Sequence, residues 1–108
     1  MTAITEHTDY ATLINVFTVE PERARQLADL LTAATEEVMQ HIDGFISANI
    51  HLSTDGTRVV NYAQWRSAEA FEAMLQDSTA RQHMAQCAEL ADGYEPHLYT
   101  VESAHSAP

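Results

Sequence analysis

The sequence predicts an α+β domain built on a split βαβ, ferredoxin-like antiparallel sheet with helices on one face. Three observations carry this. Strand-like and helix-like segments follow one another in the order β-α-β-β-α-α-β. The two central strands are joined by a tight turn. The 108 residues contain no linker, repeat or low-complexity tract, so they form one domain. That domain is expected over residues 10–102, between loose polar tails at 1–9 and 103–108.

The elements follow in order. Tyr10–Val19 (YATLINVFTV) is dense in β-branched and aromatic residues and reads as a strand. Glu20-Pro21-Glu22 opens a helix, because proline suits the first turn and carboxylates suit the positive end of the helix dipole. Leu27, Leu30, Leu31, Ala34 and Val38 recur at helical spacing and form one apolar stripe. Asp43–Gly44 ends that helix. Phe45–Ser53 and Thr57–Trp65 read as two strands of a hairpin. Ser67 is placed to cap a helix to about Leu75, and Asp77 or Ser78 a second helix to about Ala91. Asp92–Gly93 closes the latter, and His97–Glu102 reads as the last strand.

The turn decides which hairpin residues share a face. Thr54-Asp55-Gly56 fits a three-residue loop, with Gly56 left-handed in a bulge. That register sets Ser53 opposite Thr57, His51 opposite Val59, Asn49 opposite Asn61 and Phe45 opposite Trp65. One face then carries Ile46, Ala48, Ile50, Leu52, Val60 and Tyr62. The other carries Phe45, Ser47, Asn49, His51, Val59, Asn61, Ala63 and Trp65. With helices over the mixed face, the aliphatic face would be bare, so two sheets are expected to pack face to face in a homodimer. A cleft with apolar walls and a few polar groups remains under the helices.

Charge and composition remove several functions. Sixteen acidic residues face five basic ones, all of them Arg, for a net charge of −11. Such a chain repels phosphate backbones, so no nucleic-acid partner is expected. Without Lys there is no Schiff-base chemistry and no Walker A loop. Cys87 is the only cysteine, so there is no internal disulfide. The six His (7, 41, 51, 83, 97 and 105) lack the spacing of a helical metal site, and no metal is expected. Gly44, Gly56 and Gly93 are isolated, so no dinucleotide fingerprint exists. No apolar run reaches the roughly 20 residues of a membrane helix. The polar, acidic first residues resemble no signal peptide, and a cytoplasmic location is expected.

Within the cleft, Asn61 and Trp65 lie four apart on one strand and project the same way, with His51 expected beside them and Asn15 from the first strand. A carboxamide in an apolar cleft can donate to a developing oxyanion. An indole supplies a flat wall and one N–H. His51 or His83 could take a proton near neutral pH. Each alone is an ordinary strand or core residue, and their convergence on one face is what suggests a site. Met74, Met84 and Cys87, at helical spacing, read as core.

At Gly44-Phe45-Ile46-Ser47-Ala48 and at Val59 to Ser67 (VVNYAQWRS), the chain resembles the antibiotic biosynthesis monooxygenase family, from about Tyr10 to Val101. The resemblance implies a dimeric α+β barrel. Its quinone-forming branch works without metal, flavin or haem on an electron-rich aromatic such as an anthrone, with O₂ as co-substrate. Asn61, Trp65 and His51 match that branch's catalytic positions. Its tyrosine on the next helix is Phe71 here, which removes one hydroxyl from the pocket. Asn15, Phe45, Phe71, Met74 and His83 are the expected substrate contacts. A haem-degrading branch resembles the chain at Asn15 and, with a one-residue gap, at His83, while its porphyrin-distorting Trp falls at Met74. The leading expectation is a cofactor-independent monooxygenase. Haem binding through His83, and a non-redox polyketide cyclase or ligand-binding dimer, are the alternatives.

Overall fold

The structure, a computed structural model, describes residues 1–6 and 9–108. His7 therefore lies outside the described residues. Four strands form one antiparallel sheet: β1 (Ala11–Thr18), β2 (Phe45–Leu52), β3 (Arg58–Trp65) and β4 (Gly93–Tyr99). Their order is β2-β3-β1-β4, which is the split βαβ arrangement the sequence predicts. Three helices complete the fold: α1 (Pro21–Glu37), α2 (Ala68–Met74) and α3 (Ser78–Leu90). No helix among the described residues is long and apolar enough to cross a membrane.

Helix α1 begins at Pro21 as expected and buries Ala24, Leu27, Ala28, Leu31 and Ala34. It stops at Glu37, earlier than the apolar stripe suggests. Val38 leaves helical geometry (φ −125°, ψ −65°) and one 3₁₀ turn, Met39–His41, carries the chain toward β2. Gly44 follows with φ +90°, and a Cβ there would lie 2.5 Å from the Cβ of Ala70. Both its conformation and the close approach of α2 require glycine. Ser67 accepts from the N–H of Ala70 (3.1 Å) and Asp77 accepts from that of Ala80 (2.9 Å), so both expected caps are in place.

The expected hairpin register holds at one end only. Phe45 pairs with Trp65, but Leu52 pairs with Val59, His51 with Val60 and Ile50 with Asn61. The loop is longer than the turn residues suggest. Gly56 N–H donates to Ser53 O (3.0 Å), whereas Ser53 N–H donates to Arg58 O (2.9 Å). Thr57 thus belongs to the loop rather than opposite Ser53. Its N–H is taken by the Asp55 carboxylate (3.0 Å) and the Ser53 hydroxyl (3.1 Å). The extra loop residue slips the pairing by one, and a bulge between Phe45 and Ser47 restores it at the far end.

The slip exchanges the faces of β2. Ala48, Ile50 and Leu52 share the helix side with Val59, Asn61, Ala63 and Trp65, and Ser47, Asn49 and His51 move to the open side. The open side is therefore mixed rather than aliphatic, with Thr12, Ile14, Val16, Val60, Tyr62 and Gln64. Thr2 and Ala3, in the tail expected to be loose, lie against it. Gln64 Nε2 donates to Ala3 O (2.7 Å) and Asn49 Nδ2 to the Thr2 hydroxyl (2.6 Å).

The last strand starts four residues earlier than expected and contains Pro96. As an edge strand, β4 tolerates a residue without an N–H. Tyr94, Leu98 and Tyr99 on it remain exposed. The core falls into two clusters. One joins Phe17, Val59, Leu27, Leu31 and Cys87, and the other joins Ala11, Trp65, Ala70, Met74 and Ala80.

Candidate active site

Between the helix layer and the sheet lies a cavity of about 590 Å³, within the size range of small-molecule pockets. Its floor is the helix side of the sheet: Leu13, Asn15 and Phe17 from β1, Ala48 from β2, and Asn61, Ala63 and Trp65 from β3. Its roof is Phe71 and Met74 of α2, Leu75, and Arg81, Met84, Ala85 and Ala88 of α3. The lining draws on both core clusters, through Phe17, Leu31 and Cys87 on one side and Trp65 and Met74 on the other.

Two carboxamides lie side by side in this apolar floor. Asn15 and Asn61 are direct partners across the β1–β3 ladder, so their side chains point the same way. The Oδ1 atom of each is buried and has no hydrogen-bond partner. Gln64, on the opposite side of the sheet, shows the contrast. It is 3% exposed, yet its amide accepts from the Ser47 hydroxyl (2.9 Å) and donates to Ala3. A buried amide oxygen without a partner costs about 1–3 kcal/mol. Both residues line the one cavity, and each oxygen has the capacity to accept a hydrogen bond.

Trp65, 2% exposed, is held beside them by aromatic edges. The Phe45 ring stands at 89° to it with centroids 5.5 Å apart, and the Phe71 ring at 66° and 6.4 Å. These edge-to-face contacts fix the indole plane. Cys87 lines the cavity as a neutral thiol, because burial pushes its pKa up to about 11.

Six of the eight expected site residues thus meet at the cavity: Asn15, Phe45, Asn61, Trp65, Phe71 and Met74. His51 and His83 do not. The register slip turns His51 to the open side, where it is exposed and its Nδ1 lies 3.2 Å from Asn49 O. His83 is on α3 but is not among the α3 residues that line the cavity, which are 81, 84, 85, 87 and 88. Sequence reasoning missed Arg81 and took Met84 for core alone, although the spacing of 81, 84, 85 and 88 was there to be read. Among the described residues no three His, Cys, Asp or Glu side chains group as a metal site would need.

Residues 11–86 match the family model described as antibiotic biosynthesis monooxygenase. The chain is 48% identical over 87 residues to tetracenomycin-F1 monooxygenase of Streptomyces glaucescens, covering 81% of this chain and 78% of that protein. Among solved structures, it resembles a Streptomyces coelicolor monooxygenase in complex with nanaomycin D. There the TM-score is 0.81 and the identity 30%, over 91% of this chain and 92% of the other. SnoaB, a cofactor-independent oxygenase from Streptomyces nogalater, shares the fold at a TM-score of 0.75 and 23% identity, over 90% and 97% of the two chains. With its helix-covered sheet and family match over most of its length, the chain belongs to the antibiotic biosynthesis monooxygenase family and is a monooxygenase.

Proposed function

We propose that the protein is a cofactor-independent monooxygenase that converts an electron-rich, fused-ring aromatic of the anthrone type to a quinone with O₂. One observation carries this reading: two carboxamides, Asn15 and Asn61, whose Oδ1 atoms lack a partner, in a mostly apolar cavity beside a fixed indole. Two relatives support it. One of them is a tetracenomycin-F1 monooxygenase, and the other was solved with nanaomycin D.

The chemistry asks little of the protein. The substrate loses a C–H proton and becomes a delocalised carbanion. It passes one electron to O₂, and the carbon radical and superoxide combine into a peroxide at that carbon. Loss of water leaves a carbonyl. One oxygen atom stays in the product and the other leaves as water, so no external reductant is consumed. The amide of Asn61, turned to present its N–H, donates to the oxygen on which the anion's charge collects. Asn15 offers a second contact to the same ring system, and Trp65 provides a flat wall against which the rings lie. The apolar part of the roof, Phe71, Met74, Leu75 and Met84, shields the peroxide from water.

We further propose that two copies associate. Edge strand β4 presents Tyr94, Leu98 and Tyr99, and Ile14, Val16, Val60 and Tyr62 lie half-covered on the open side of the sheet.

Oxygen-electrode measurements on a simple anthrone test the activity. Wild type should consume O₂, and Asn61→Ala should slow turnover by roughly 10²–10³-fold, the scale of losing one oxyanion donor. Trp65→Ala should slow it as well. No uptake with any anthrone would overturn the anthrone-to-quinone reading. Unaltered turnover in both variants would remove Asn61 and Trp65 from the site.

A further inference from the structure

The cavity has a charge pattern that the proposed reaction leaves unused. Sixteen acidic side chains are spread through the sequence, and none is among the described residues that line the cavity. One permanently charged side chain does line it, Arg81, on the first turns of α3. Among the described residues no carboxylate lies within 4.0 Å of its guanidinium, and it makes no side-chain hydrogen bond. Arg66, by comparison, is paired with Asp43 at 2.8 Å. Nor does helix α3 gain from a cation so near its N-terminus, where the dipole disfavours positive charge.

We propose that Arg81 receives a carboxylate carried by the aromatic substrate, and so selects acidic ring systems over their neutral counterparts. This rests on the reading of the cavity as a pocket for a planar aromatic. Asn15 and Asn61 hold the ring oxygens from the floor, and Arg81 holds the anionic substituent from the roof. The two contacts fix the ring in one orientation over Trp65. A guanidinium suits this task because its planar fork meets both carboxylate oxygens at once. In a chain of net charge −11, a cavity without acidic lining is also the place where an anion meets least repulsion.

Trp65 is the only tryptophan, so its fluorescence reports binding without any need for turnover. The protein is titrated with anthraquinone-2-carboxylate and with its methyl ester. Wild type should bind the acid about 10-fold more tightly than the ester or better, the scale of a charge-assisted hydrogen-bonded contact. Arg81→Gln should erase that preference while leaving the ester's affinity within about two-fold, and Arg81→Lys should keep part of it because a point charge remains. Equal binding of acid and ester by wild type, or equal weakening of both in Arg81→Gln, would overturn the proposal. Arg81 is exposed, so the variants are expected to fold, which circular dichroism checks. Charge-selective binding without O₂ uptake would sink the proposed oxygenase reaction and leave Arg81's role standing. Turnover without acid preference would do the reverse.

Discussion

The carboxamide of Asn61 sets fold stability against function. Its Oδ1 is buried without a partner, so the resting protein bears the cost of desolvating it. Asn61→Leu keeps a similar shape and removes the orphan oxygen. It should raise unfolding free energy by about 1 kcal/mol while abolishing O₂ consumption. Urea unfolding followed by Trp65 fluorescence measures the first effect and the oxygen electrode the second. A less stable Asn61→Leu protein would mean that the amide is already satisfied in the resting state. At this scale the sequence was legible where one strand sufficed. Asn61 and Trp65 are four residues apart on β3, and period two alone puts them on one face. His51 needed the pairing between two strands, and that depended on one loop residue.

The β2–β3 loop is the element on which that pairing turns. Asp55 accepts from the Ser53 hydroxyl (2.8 Å), from Thr57 N–H (3.0 Å) and from the Thr57 hydroxyl (2.7 Å). These bonds, those of Thr57 first, hold its carboxyl at a pKa of about 2, below the ordinary 3.8. A carboxyl with a lowered folded-state pKa adds stability that is present above the ordinary value and lost as pH falls through the folded one. Thermal stability should therefore fall between about pH 4 and pH 2, and Asp55→Ala should start lower at neutral pH and lose less over that window. Scanning calorimetry across the window checks both. Turn chemistry named the right residues, Asp and Gly, but not the loop length, because Thr57 N–H donates to side chains rather than to the partner strand. The helices were more legible. Their caps are local, and Ser67 and Asp77 each bond three residues ahead. Strand β4 starts ahead of Pro96, a residue without an N–H, which its position at the sheet's edge makes acceptable.

At the scale of the whole molecule, the split βαβ topology followed from element order alone. The shape of its cavity did not, because that depends on how far α3 stands from the sheet. Association of two copies is proposed through the open side of the sheet and β4, where Tyr99 is exposed. Light scattering after size exclusion should give twice the 12.0 kDa chain mass, and Tyr99→Asp, on the open side opposite Thr12, should shift the population toward one chain. A single-chain mass for wild type would remove the proposed association.

The lining described for the cavity holds neither Asp nor Glu, and its one imidazole, His97, sits on the edge strand, 3.7 Å from Glu95. With so little basicity to offer, the pocket must take in molecules that ionise readily by themselves. Across a series of anthrones, initial rates should climb as the parent compound becomes more acidic, and each rate–pH curve should rise at that compound's own ionisation rather than at a value shared by all.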